Sequence, residues 1–225
     1  MLVKKWIVKD EPPADFDKLF ADWPPLIRKL LYNRGLRNQK QVEYFFNPDY
    51  GKLHDPFLFR DMRKAIDRIL AALEKGEKIV VHGDYDADGV TSSAIIYNTL
   101  NLLTADIEAF IPHREEDGYG LNKKNIQKFI DQGVKLIITV DCGSTNVEEV
   151  KLAQDNGVDV IITDHHNVPE VLPEAFALLN PRVAEETYPF EGLSGVGMAY
   201  KLVSALLRNY PGDIAAFEEW GGVEE

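Results

Sequence analysis

From residue 76 onward, short apolar runs alternate with helical stretches, and this alternation limits the fold more than any other feature. The apolar runs cover residues 78–82, 107–111, 136–140, 158–163 and 177–179; residues 89–103, 122–131, 146–156 and 196–208 have helical character. Continuously apolar strands separated by helices of about ten residues or more predict a parallel sheet covered on both faces. The expected fold is α/β, a doubly wound, mainly parallel five-stranded sheet with helices on both faces. No internal repeat or low-complexity tract is present in the sequence, which excludes a solenoid.

Residues 24–75 read as helical and modestly basic, with Arg28, Lys29, Arg34, Arg37 and Lys40 around short apolar stretches. Met62, Ala65, Ile66, Ile69, Leu70 and Leu73 form the stripe of an amphipathic helix, with Asp61 as its expected N-cap and Gly76 as its stop. The chain is expected to divide into a helical N-terminal preface, 1–75, and an α/β domain, 76–225. Charge divides in the same way: the first segment carries 15 Lys/Arg against 11 Asp/Glu, the second 10 against 26. That acidity argues against a whole surface that grips nucleic acid, but acidic residues massed in one site are offset by divalent cations. No apolar run approaches the roughly 18 residues of a membrane span, and charge and proline interrupt the N-terminus before a signal peptide can form. A single cysteine, Cys142, excludes an internal disulfide and agrees with a reducing compartment. A cytoplasmic location with no membrane partner is expected.

In doubly wound sheets ligands bind beyond the carboxyl ends of the strands. Here the first apolar run ends in His82-Gly83-Asp84-Tyr85-Asp86-Ala87-Asp88-Gly89, the third in Val140-Asp141-Cys142-Gly143, and the fourth in Thr163-Asp164-His165-His166. If extended, the first segment puts His82, Asp84, Asp86 and Asp88 on one side. Crowded carboxylates raise one another's pKa unless a cation holds them ionised. Single members of this set have plainer roles available, Asp84 and Asp86 as turn residues and Asp88 as a helix cap. Of two successive imidazoles, His165 and His166, one suits a metal and the other is left for substrate. Mixed carboxylate and imidazole donors suit manganese, cobalt, zinc, iron or magnesium, and so many ligands point to two metals and to hydrolysis at phosphorus. Ser194 misses the G-x-S-x-G nucleophile elbow; its glycine-rich segment is expected to offer backbone amides to phosphate at a helix N-terminus.

These motifs resemble the DHH family of phosphoesterases, named for the tripeptide found here at Asp164-His165-His166, and within it the RecJ-type single-strand-specific DNA exonucleases. The segments around Ile111-Pro112-His113-Arg114, Gly118-Tyr119-Gly120-Leu121 and Leu193-Ser194-Gly195-Val196-Gly197 are also similar to that type. The resemblance implies metal ligation by His82, Asp86, Asp88, Asp141 and His165, with Asp141 able to bridge two ions of Mn2+ or Mg2+. It implies that His166 contacts the scissile phosphate, with Asp84 and Asp164 supporting the ligands and imidazoles from behind. Arg114 is expected to pair with a substrate phosphate, Tyr119 to stack a base, and Gly195 and Gly197 to offer their backbone. The implied reaction is 5′ to 3′ exonuclease action on single-stranded DNA in repair and recombination, with a single-strand-binding protein and a recombination helicase as partners. The family's fourth metal-binding aspartate and second domain are not visible, and Asp213 is a poor substitute, so the sequence reads as the N-terminal part of a longer enzyme. The alternatives are a small-substrate DHH phosphodiesterase or pyrophosphatase, and a catalytically incomplete binding fragment.

Overall fold

The computed structural model describes residue 5 and residues 7–103 and 105–212; Asp213 lies outside them. The chain separates into two compact units, divided in sequence between Leu53 and His54. The first holds three short helices, α1 (Ala14–Leu19), α2 (Pro25–Asn33) and α3 (Gln39–Phe46). Phe16, Phe20, Leu31 and Val42 form its small core, and Asn38 caps α3 by accepting from the Gln41 N–H at 2.9 Å.

The second unit opens with α4 (Met62–Lys75), followed by β1 (Ile79–His82), α5 (Ala87–Leu102), β2 (Ile107–Phe110), α6 (Lys123–Asp131) and β3 (Leu136–Val140). It closes with α7 (Val147–Asp155), β4 (Asp159–Thr163), β5 (Ala177–Leu179) and α8 (Gly195–Asn209). The strands pair in parallel in the order β2-β1-β3-β4-β5, as the alternation predicts. Alternate strand residues feed two cores. Ile79, Val81, Ile138 and Ile161 pack with the apolar faces of α4, α5 and α8. Val80, Ile137, Val160 and Ile162 pack with Ile126 and Phe129 of α6 and Val150 and Ala153 of α7. The unit boundary falls earlier than the expected break after residue 75, because the α4 stripe is not a preface: Met62, Ala65, Ile66, Ile69 and Ala72 are all buried in the sheet's first core. Gly76 ends α4 in the left-handed conformation, as read from the sequence, at φ 61°. Asp61 occupies the N-cap position, yet its carboxylate accepts from the Leu178 N–H of β5 at 3.0 Å and does not cap the helix.

Among the described residues no helix is long and apolar enough to cross a membrane. Ile138 lies on the central strand, fully buried. Ile138→Ala is expected to destabilise this unit by about 2–5 kcal/mol, through lost burial and an unfilled cavity, read from the shift of its urea midpoint. A shift below about 0.5 kcal/mol would contradict the core assignment.

Candidate metal centre

β1 leads out to β2 on one side and the chain returns to β3 on the other, so the carboxyl ends of β1 and β3 flank the switch point where such sheets bind ligands. The loop after β1 carries Asp84 and Asp86; the residue after β3 is Asp141; β4 runs into Asp164, His165 and His166. Two clusters result. Asp84, Asp86 and Asp141 bring one ligand atom each within 4.8 Å of one another, and so do Asp141, His165 and His166. Asp141 belongs to both.

Local backbone chemistry fixes this carboxylate. Asp141 is 1% exposed and adopts φ 59°, a left-handed conformation that Asp tolerates better than most residues. Its N–H donates to the Thr163 carbonyl at 2.9 Å, tying the turn to β4. Gly195 packs against it so closely that a Cβ there would lie 2.5 Å from Asp141 Oδ1. His165 Nε2 lies 3.0 Å from the same Oδ1, within ion-pair distance but without hydrogen-bond geometry, and Oδ1 is buried with no hydrogen-bond partner. Burial, then the charges of Asp88 and Asp86, pushes the Asp141 carboxyl up to about 7. Asp84, also buried, is raised by its burial, with Asp86 adding to it against the Tyr85 N–H bond. Oxygen-rich donors that repel one another, one with an unsatisfied buried oxygen, fit a divalent cation. Asp84, Asp86, Asp141, His165 and His166 are the residues that could hold it.

The structure brings together some of the residues singled out in the sequence and sets others apart. The segment after β1 is not extended throughout: α5 begins at Ala87, with Asp86 as its N-cap accepting from Gly89 N–H at 2.9 Å. Asp88 therefore sits in the first helical turn and turns toward α8, where its two carboxylate oxygens accept from the Gly195 and Val196 N–H groups at 2.7 Å each. It remains beside the cluster, with Oδ2 3.6 Å from His165 Nε2, and each of its oxygens retains a second lone pair. The amides of Gly195 and Gly197 are consequently not free for phosphate, since Gly197 N–H donates to the Ser194 hydroxyl at 3.1 Å. Asp84, expected to support from behind, joins the first cluster instead. His82 joins neither cluster: it is fully buried between Phe110, Phe129 and Cys142, its Nε2 has no hydrogen-bond partner, and burial holds its pKa down to about 4.

Asp164 does act from behind. Its Oδ1 takes hydrogen bonds from the His165 N–H at 2.7 Å, the His166 N–H at 3.1 Å and His166 Nδ1 at 2.8 Å, while Oδ2 accepts from Ser144 N–H at 3.1 Å. Burial alone would raise the Asp164 carboxyl; the bonds from His166 and Ser144 outweigh it and lower its pKa. Burial pulls the His166 pKa down, but the bond to Asp164 together with the charges of Asp164, Asp141 and Asp84 more than offsets this and raises it. Tyr119 stands edge-on to His166, with its hydroxyl 3.3 Å from Nδ1 and donating to the Asp141 carbonyl at 3.3 Å. Arg114 reaches over the Tyr85 ring, with Cζ 5.5 Å from the centroid. Two residues of this network were not singled out in the sequence. Ser144 and Asn180 are fully buried, and Asn180 donates from Nδ2 to the Ser144 hydroxyl at 2.9 Å and the His166 carbonyl at 3.0 Å. Asn180 follows the fifth apolar run, so the strand-end rule that located the other motifs also reaches it.

Residues 78–218 match the model of the family described as "DHH family, N-terminal domain". A Bacillus subtilis protein named single-stranded-DNA-specific exonuclease RecJ is 42% identical over 190 residues, 84% of this chain and 24% of that protein. The Escherichia coli protein of the same name is 36% identical, over 88% of this chain and 34% of its own length. Among solved structures, Thermus thermophilus RecJ in complex with Mn2+ matches with TM-score 0.66 and 30% identity, over 88% of this chain and 28% of that one. A further exonuclease RecJ bound to manganese matches with TM-score 0.61 and 37% identity, over 72% of this chain and 39% of that one. The chain thus spans about a quarter to a third of the length of these curated relatives.

Proposed function

The chain belongs to the DHH family, and we propose that it carries the catalytic α/β domain of a metal-dependent exonuclease that degrades single-stranded DNA from the 5′ end. The observation that carries this reading is the position of Asp141, one buried carboxylate common to two clusters of metal-ligating groups. The likeness to proteins named single-stranded-DNA-specific exonuclease RecJ, solved with manganese and with magnesium, supports the substrate class and the choice of metal. We propose with it a role in repair and recombination, a cytoplasmic location, and partnership with a single-strand-binding protein and a recombination helicase.

In this reading Asp84, Asp86, Asp141 and His165 hold the metal, with Asp88 beside His165 completing the set. Bound divalent metal supplies a water of lowered pKa and neutralises charge at phosphorus during in-line displacement. The protein's own groups do the positioning. His166 is fixed through Nδ1 by Asp164, which leaves the rest of its half-exposed ring for the scissile phosphate. Arg114 offers a planar fork to a substrate phosphate, and the exposed part of Tyr119 is a surface for a base. His82 belongs to neither cluster and packs against Phe110 and Phe129.

The test is release of nucleotides from 5′-labelled single-stranded DNA with manganese present, comparing this chain with Asp86→Ala. Stepwise release by the parent and none by the variant is expected. Undiminished release by the variant would sink the metal assignment, and preference for dinucleotides or pyrophosphate over long strands would move the reading to a small-substrate phosphodiesterase.

A further inference from the structure

The α/β unit is strongly acidic, so every cation beside the cluster weighs heavily in gripping a polyanion. Several cations in it are committed elsewhere. Lys78, Lys123, Lys151 and Arg208 pair with Glu108, Glu148, Asp155 and Asp55, and Lys201 is buried with Nζ on the His54 carbonyl. Arg114 and Arg182 differ. They follow β2 and β5, the two edge strands, at the carboxyl end of the sheet, so the cluster after β1, β3 and β4 lies between them. Neither forms an ion pair among the described residues.

Arg182 is held by neutral groups that leave its charge intact. Its Nη1 donates to Asn167 Oδ1 at 2.9 Å, and its backbone N–H donates to Asn180 Oδ1 at 2.9 Å. Asn180 also binds the His166 carbonyl, so one buried side chain fixes the backbone at both His166 and Arg182. Asn167, next after His166, carries the exposed guanidinium beside the site.

We propose that Arg182 binds a backbone phosphate of single-stranded nucleic acid, across the metal cluster from Arg114. The proposal rests on the nuclease reading above and deepens it: two arginines flanking an acidic centre mark the path of a strand along the carboxyl edge of the sheet. A guanidinium suits phosphate because its fork makes two parallel hydrogen bonds, and Asn167 presets its orientation without neutralising it.

The test is an anisotropy titration of a labelled, phosphorothioate-linked oligothymidylate with manganese present, over a salt series, using the full chain, Arg182→Gln and Arg182→Lys. Arg182→Gln is expected to weaken binding roughly 3–10-fold and to flatten the slope of log affinity against log salt by about 0.7, the loss of one single-strand phosphate contact. Arg182→Lys should keep the slope and lose part of the affinity, and manganese affinity by calorimetry should be unchanged in both. Equal affinity and slope for the parent and Arg182→Gln would overturn the assignment and leave the nuclease reading standing. A parent that binds manganese but no strand overturns the nuclease reading and this one with it. Loss of manganese binding in Arg182→Gln would mean general damage to the site and overturn a strand-binding role.

Discussion

Asp141→Asn is expected to reduce manganese-dependent cleavage by more than about 100-fold, beyond the 10–100-fold losses typical of groups that only support a metal ligand. Asp141 is the group common to both clusters, held in a left-handed turn with Gly195 against it, so no neighbour can replace its oxygens. The same variant should behave oppositely without metal. In the folded, metal-free chain the Asp141 carboxyl is raised from 3.8 to about 7, by burial and then by Asp88 and Asp86. A group raised in the folded state contributes its full stability below its unfolded pKa and loses it as pH climbs through the folded value. With chelator present, the parent should therefore lose stability between about pH 4 and pH 8, by up to roughly 4 kcal/mol from this group. Asn has nothing to ionise, so the variant's melting temperature should vary less and exceed the parent's at pH 8. Manganese should then reverse the order, raising the parent and leaving the variant unmoved. An equal rise in both would remove Asp141 from the metal centre.

Most of the fold is legible in the sequence because parallel strands buried on both faces must be apolar at every position, as Leu136, Ile137, Ile138, Thr139 and Val140 nearly are. The place of α4 is less legible. An apolar stripe predicts that a helix has a buried face but does not say against what, and Met62 and Ile66 pack on the sheet that begins after them. Within the site, residue types at strand ends identify Asp86, Asp141, Asp164, His165 and His166, since chemistry and position coincide there. Individual roles are harder to read. The two-residue spacing from His82 to Asp88 predicts a shared side only while the chain stays extended, and the Asp86 cap starts α5 before that pattern ends. The glycines around Ser194 suggest open amides, but Asp88, more than a hundred residues earlier, already occupies those of Gly195 and Val196. A pairing that distant leaves no trace in local spacing.

Asn180 gives the second large effect. It is fully buried at the end of β5, where Nδ2 serves Ser144 and His166 and Oδ1 serves the Arg182 N–H. Asn180→Ala leaves these groups without their partner and is expected to destabilise the chain by roughly 2–4 kcal/mol. Stability loss alone would not identify a positioning role, so Asn180→Asp is the sharper variant. The carboxylate still accepts from Arg182 N–H and from the Ser144 hydroxyl, yet it offers no donor and sets an anion against the His166 carbonyl. That peptide carries the imidazole that Asp164 orients through Nδ1 at 2.8 Å. Asn180→Asp is therefore expected to lower kcat about 10–100-fold, with KM and manganese affinity within a few-fold of the parent, because the metal-holding residues do not touch it. Parent-like kcat in a folded Asn180→Asp would detach Asn180 from the site and leave it a member of the core. A matching loss of manganese affinity would instead place the damage at His165, one residue away, and show that the strand-end peptide sets both imidazoles together.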